Sequence, residues 1–235
     1  MHLNSATLRL IKTPFWLIML GFAVVLFLMT ARYFSFADNI NFLLAKKPLV
    51  HHPIWRPVFY IHIAGGMLAL LIGPFQFLKI SRTKLKKYHR LIGKIYIGAI
   101  LFIGAPGGFY MAFYANGGPL AALGFVVMAM LWFQMTLNAY KTVRAKEFVQ
   151  HSRWMVRSYA MTFAAVTLRL WVPFASLVLN IPFNTVIITS AWACWMLNLA
   201  IAEGIIATDP KYRLHPKRST NELQDFKKEF QTQLS

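Results

Sequence analysis

The sequence predicts an all-α protein: a polytopic bundle of six transmembrane helices, with the N and C termini both cytoplasmic. Three observations carry this. Of the 235 residues, 57% are hydrophobic and 14% are charged, whereas a soluble domain carries roughly 25% charge. Six continuous apolar stretches recur, at about 14–34, 57–79, 91–114, 120–141, 155–179 and 184–206. Each is close to the ~20 residues that cross ~30 Å of hydrocarbon, and none alternates as barrel strands do.

The third observation is the sidedness of charge. Nineteen Lys and Arg lie at the two ends and in the even-numbered loops: Arg9, Lys12, Lys79, Arg82, Lys84, Lys86, Lys87, Arg90, Lys141, Arg144, Lys146, Arg153, Arg157, Lys211, Arg213, Lys217, Arg218, Lys227 and Lys228. Only three, Lys46, Lys47 and Arg56, lie in the odd-numbered loops. This is a strong positive-inside pattern, with both termini cytoplasmic. It assigns the net charge of +18 to topology and to contact with anionic lipids, and not to nucleic acid.

The first span follows Arg9 and Lys12, as the apolar run of a signal peptide would. It is longer than the usual 7–15 residues and has no small-x-small site after it, so it reads as a retained anchor. The loop over 35–56 is the one sizeable outer segment, with Asp38, His51, His52 and Pro53. Span two carries His62, Gly65, Gly66, Ala69, Gly73 and Gln76 on one helical face. Small residues in such a stripe let a neighbouring helix approach closely. Asn116, Gly117, Gly118 and Pro119 make the tight turn that turns spans three and four into a hairpin. Pro74, Pro106 and Pro173 interrupt spans two, three and five. Span six holds the lone cysteine, Cys194, which excludes an internal disulfide and a Cys-rich metal site. The tail over 207–235 begins a capping box at Ser219, and Leu223, Phe226, Phe230 and Leu234 then recur at helical spacing. A short amphipathic helix follows, lying on the inner leaflet or in solvent.

Charged groups at membrane depth are costly, so each one asks for a reason. Arg169 lies deepest, roughly 15 Å in at 1.5 Å per residue. Pro173 leaves the Arg169 carbonyl without its helical donor, so guanidinium and carbonyl are expected at one level. His151 precedes Arg169 by 18 residues, five turns, which places both on one face of a continuous helix. His89 opens span three and His151 precedes span five, so both are expected at the same depth near the cytoplasmic face, level with Glu203. Two histidines so placed are candidates for the axial ligands of one haem or for metal ligands. Arg153 and Arg157 would suit haem propionates or lipid phosphates. His62 and Gln76 ride on the small-residue face of span two, His62 as a proton-relay or substrate contact. The plain alternatives are packing residues and interfacial histidines bonded to caps and headgroups. Nucleophile–base triads, phosphate loops and paired catalytic carboxylates are absent from the sequence, which argues against hydrolysis.

Three blocks stand out in order: Phe59-Tyr60-Ile61-His62-Ile63 leading to Gly73-Pro74-Phe75-Gln76-Phe77; His89-Arg90-Leu91-Ile92-Gly93-Lys94-Ile95-Tyr96; and His151-Ser152-Arg153-Trp154-Met155-Val156-Arg157-Ser158-Tyr159 running to Ala165-Val166-Thr167-Leu168-Arg169-Leu170. Together they resemble a bacterial family of predicted membrane proteins, domain of unknown function family 2306, over about 55–206. The resemblance implies an inner-membrane bundle and little biochemistry. More loosely, histidines at helix ends in a six-helix bundle resemble the six-helix haem b membrane cytochromes, the di-haem cytochrome b type ascorbate and ferric reductases. Three functions stay open: a redox protein with haem b bound by His89 and His151, passing electrons from a carrier; a transporter or binder of a small anion using Arg169 and His62; and a non-catalytic protein that holds lipids or a partner subunit.

Overall fold

The computed structural model describes the backbone of residues 5–212 and the side chains from Trp16 onward, Asn41 excepted. The amphipathic helix expected in the tail lies outside the described residues. Among the described residues there is no strand, and six helices are long and apolar enough to cross a membrane. They are α1 (Ser5–Ala31), α2 (Trp55–Gln76), α3 (Lys86–Ala112), α4 (Gly118–Arg144), α5 (Phe148–Pro173) and α6 (Phe183–Thr208). The fold is therefore an all-α, six-helix membrane bundle.

Two helices begin earlier than hydropathy marks. α3 starts at Lys86 and α5 at Phe148, so His89 and His151 stand in first turns. Hydropathy falls where charge begins, but the backbone continues its hydrogen-bond ladder into the interface. Long basic side chains there reach water while their stems stay apolar.

Missing side chains decide how closely the helices approach. A Cβ on Gly65 would lie 2.8 Å from Ile103 and 2.9 Å from the Ala99 carbonyl, so α2 presses directly on α3. A Cβ on Gly73 would lie 2.2 Å from the Tyr159 ring of α5. Both positions belong to the stripe seen in the sequence.

Each internal proline is accommodated differently. Pro74 removes the amide that would have bonded the carbonyl of Leu70. The Tyr159 hydroxyl donates to that carbonyl at 3.1 Å instead. Before Pro106 and after Pro173 the chain widens into π turns, over Ala99–Gly104 and Phe174–Val178. Such wide turns are a usual accommodation of a broken ladder.

A buried polar chain ties α3, α4 and α5 together. The Thr136 hydroxyl donates to the Trp132 carbonyl at 2.8 Å, so Ser158 donates to Thr136 at 2.7 Å and Tyr96 to Ser158 at 3.0 Å. Thr162 accepts from the Trp132 indole at 3.0 Å. Tyr96, Thr136 and Ser158 are fully buried. Hydrogen bonds of this kind add to packing where lipid offers helices no hydrophobic reason to associate.

At the end opposite the basic loops, the segment between α1 and α2 folds over the bundle. Its short helices Asn41–Leu44 and Lys47–Val50 pack Leu43 and Val50 onto Trp55 and Phe59. Lys46 is buried, and its amine donates to the Tyr114 carbonyl and to Asn116 Oδ1, the latter at 2.5 Å.

Candidate functional site at the basic end

Where α2 ends and α3 and α5 begin, the helices leave a cavity of about 340 Å3, its open mouth included. Gln76 and Phe77 close it from α2, and Met155 from α5. Arg82, from the short helix Lys79–Thr83, lines one side. Tyr212, from the turn after α6, lines another. His89 and His151 both face it.

The two histidines arrive from different helices and are held differently. His151 Nδ1 lies 2.8 Å from the Ala139 carbonyl of α4. A carbonyl only accepts, so Nδ1 carries the proton and Nε2 keeps the lone pair. A backbone acceptor that orients a ring in this way is the usual outer contact of a ligand-binding histidine. His89 Nδ1 lies 3.3 Å from the Ser81 hydroxyl, a looser contact. The His151 ring and the Arg82 guanidinium each lie within electrostatic reach of His89.

Gln76 is only 5% exposed, and its amide nitrogen has no hydrogen-bond partner among the described residues. It fits because residue 93 is glycine: a Cβ there would lie 3.3 Å from the Gln76 amide oxygen. Arg82 Nε is likewise buried and unpartnered. Burial, with Asp209 nearby, pushes the Tyr212 phenol up to about 12, so it is a neutral hydroxyl that accepts from Lys211 Nζ at 3.2 Å. Asp209, two residues before Lys211, turns one carboxylate oxygen to the Lys211 amide at 3.1 Å.

The other candidates lie elsewhere. Glu203 and Arg157 occupy each other in a two-pronged pair, 2.5 Å from Nε and 2.8 Å from Nη2. Arg157 also sits over the Trp154 ring, 4.7 Å from its centroid. Neither lines the cavity, so Glu203 does not join the histidines. Arg153 has a buried, unpartnered Nε and lies within electrostatic reach of Glu203.

His62 belongs to the other half of the bundle. Its Nδ1 donates to the Gly104 carbonyl at 2.8 Å. The residue is wedged against Gly107 and Gly108: an added Cβ on Gly107 would lie 2.9 Å from His62 Cβ, and one on Gly108 3.0 Å from the ring. Arg169 donates to the Ala165 carbonyl of its own helix at 3.1 Å, one turn back, and is exposed. It lies within electrostatic reach of His62 and Tyr33. α5 is continuous from His151 to Arg169, yet the two have different surroundings: α4 and the cavity for one, His62 of α2 and Tyr33 of the turn after α1 for the other.

The sequence reading missed Arg82 and Tyr212. Both lie in connecting segments whose path depends on the assembled bundle. It also missed the Tyr96–Ser158–Thr136 chain. One signal for that was present: Tyr96 and Ser158 each stand seven residues, two turns, beyond His89 and His151.

A haem between His89 and His151 would need two free ring nitrogens and a slot for its macrocycle. The nitrogens fit. The room does not: apart from its open mouth the cavity encloses only about 30 Å3, against the ~300–1,000 Å3 of small-molecule pockets, and Phe77 and Met155 close it. Among the described residues, no group of three His, Cys, Asp or Glu side chains is placed to hold a metal ion.

The model of one family, Predicted membrane protein (DUF2306), matches residues 59–206. The chain belongs to this family. The matched region begins at Phe59 and holds Gln76, Arg82, His89 and His151, so most of the cavity lies inside it, while Lys211 and Tyr212 lie beyond. No curated protein and no solved structure matches the chain.

Proposed function

We propose that this multi-pass membrane protein binds a small molecule in the basic-end cavity, with Gln76, Arg82, His89 and His151 as contact groups. One observation carries the reading: two histidines from separate helices line one cavity alongside buried polar groups that lack partners. Buried donors are nearly always paired, so orphaned ones that border a cavity mark where a ligand belongs. The protein resides in a bacterial cytoplasmic membrane with this end inward, where its lysines and arginines meet anionic headgroups.

The test is a thermal-shift screen of the purified protein against pooled small metabolites. A stabilising compound should act on the native chain and lose its effect in His89→Ala/His151→Ala. An equal response from both proteins would overturn the reading.

The redox alternative has the orientation of His151 in its favour and the size of the cavity against it. We expect protein purified from haem-replete cells to be colourless. A Soret band that shifts on reduction and disappears in either histidine variant would reverse that. The anion-transport alternative through Arg169 and His62 has less support, because His62 is packed and Arg169 bonds its own helix.

A further inference from the structure

We infer that the ligand of this cavity carries an oxyanion of the phosphate class. The inference rests on the cavity being a binding site, as proposed above, and adds the chemistry of what it takes. The starting point is Gln76. Its amide nitrogen is buried, unpartnered and beside the cavity, and an amide N–H2 has only donors to offer. Arg82 Nε is a second buried donor with no acceptor. An oxygen-rich ligand satisfies both at once, whereas a cation or an apolar molecule leaves both unpaired.

The charged side chains that line the cavity are basic, and the one carboxylate described near it, Asp209, stands beside Tyr212 and outside the lining. Among the described residues its lining includes Arg82, Lys211 and two histidines, and no carboxylate. Asp209, near Tyr212, turns an oxygen to the Lys211 amide. Glu203 is held by Arg157. Two long helices, α3 and α5, begin here, and helix starts add unpaired N–H groups and partial positive charge. Neither helix start would make a site alone; the buried Gln76 amide and Arg82 Nε supply the independent evidence. His151, with Nδ1 committed to Ala139, meets the ligand through Nε2. It accepts the hydroxyl proton of a monoester phosphate, or donates once protonated. A tetrahedral anion with several oxygens matches donors converging from four segments better than a planar carboxylate does. The cavity lies at a helix-end level of the bundle, so the same phosphate chemistry can arrive on a soluble molecule or on a lipid.

Isothermal titration and thermal shift of the full-length protein, delipidated in an uncharged maltoside detergent, test this with two kinds of probe. Inorganic phosphate and glycerol 3-phosphate form the soluble arm. Phosphatidic acid added to the micelle forms the lipid arm. At least one arm should raise Tm and bind saturably. Gln76→Leu and Arg82→Gln should each weaken that binding about tenfold or more, while Lys84→Ala, at an exposed lysine outside the cavity, should leave it unchanged. Gln76→Glu keeps the size and adds a negative charge, so it should abolish binding in a protein whose helical spectrum is native; it serves if Gln76→Leu does not fold. Binding by soluble probes alone assigns a soluble phosphate, and binding by phosphatidic acid alone assigns a headgroup. Failure of every probe overturns the inference. So does binding that ignores Gln76 and Arg82 and only tracks salt. A neutral ligand, or a haem, whose binding needs the histidines and ignores phosphate would overturn the oxyanion while leaving the cavity as a binding site.

Discussion

The two ends of the bundle treat the same chemical groups in opposite ways. His62 and His151 each commit Nδ1 to a backbone carbonyl at 2.8 Å. His62 is then wedged between glycines, whereas His151 opens onto a cavity. Lys46 and Arg82 show the same contrast. Lys46 is buried with its amine bonded to Tyr114 and Asn116, near the negative end of α3. Arg82 has a buried Nε with nothing to bond. At the Lys46 end, Arg56 also pairs with Asp38 at 2.9 Å and donates to the Phe36 carbonyl at 3.1 Å. The unpartnered side-chain groups described toward that end, Trp55 Nε1, Tyr60 Oη, Trp171 Nε1 and Ser176 Oγ, are all neutral, and the first two belong to an aromatic cluster. Charge satisfied by the chain itself is structure. Charge and amide left unsatisfied beside a cavity are an offer to something else.

The largest expected effect breaks the comparison at its glycines. Gly107→Ala would drive a Cβ to 2.9 Å from His62 Cβ and 3.2 Å from its Cα. Backbone cannot step aside, so about 1–3 kcal/mol of stability should be lost. Gly93→Ala meets only the flexible tip of Gln76 at 3.3 Å. It should leave Tm nearly unchanged and weaken ligand binding. Similar Tm losses in detergent for the two variants would erase the distinction between a packed end and an open one.

Next come the cations. Lys46→Met strands a carbonyl and an amide oxygen, and should cost about 1–3 kcal/mol. Arg82→Met removes a group that already lacks a partner at Nε, so stability should hold within about 0.5 kcal/mol. A large loss of Tm in Arg82→Met would show that Arg82 is structural after all.

Tyr159→Phe is smaller. It removes the donor to the Leu70 carbonyl that Pro74 leaves unpaired, at a cost of about 1 kcal/mol. Pro74→Ala should recover much of that loss in the double variant, because the helix then supplies its own amide. A double variant no more stable than Tyr159→Phe would mean that the hydroxyl is not standing in for that amide.

The smallest effect is a pH dependence. Burial lowers the pKa of Lys46 from its ordinary 10.5. Between the lowered value and 10.5 the unfolded chain holds more protons than the folded one, so stability rises with pH across that window. The burial penalty is fully present below the window and lifts as the amine becomes neutral, still able to donate. Lys46→Met should flatten this segment of the Tm–pH curve; an unchanged slope would assign it to another group.

Hydropathy alone determined that this chain is a six-helix membrane bundle, because an apolar run of about twenty residues satisfies its backbone internally wherever it sits in lipid. The small-residue stripe of α2 was legible for the same reason: helical periodicity is local. So was the shared depth of His89 and His151, which follows from counting along helices that start at one end. Depth is only one coordinate. Which way a helix faces is set by its neighbours, and Gly65, Gly73 and Gly93 set it here by letting α3, α5 and the Gln76 side chain come close. Only the tertiary structure therefore decided that Glu203 answers to Arg157, that His62 is packed away, and that Gln76 and Arg82 join the two histidines. Those meetings depend on helix rotation and on loop paths, and both are properties of the assembled bundle.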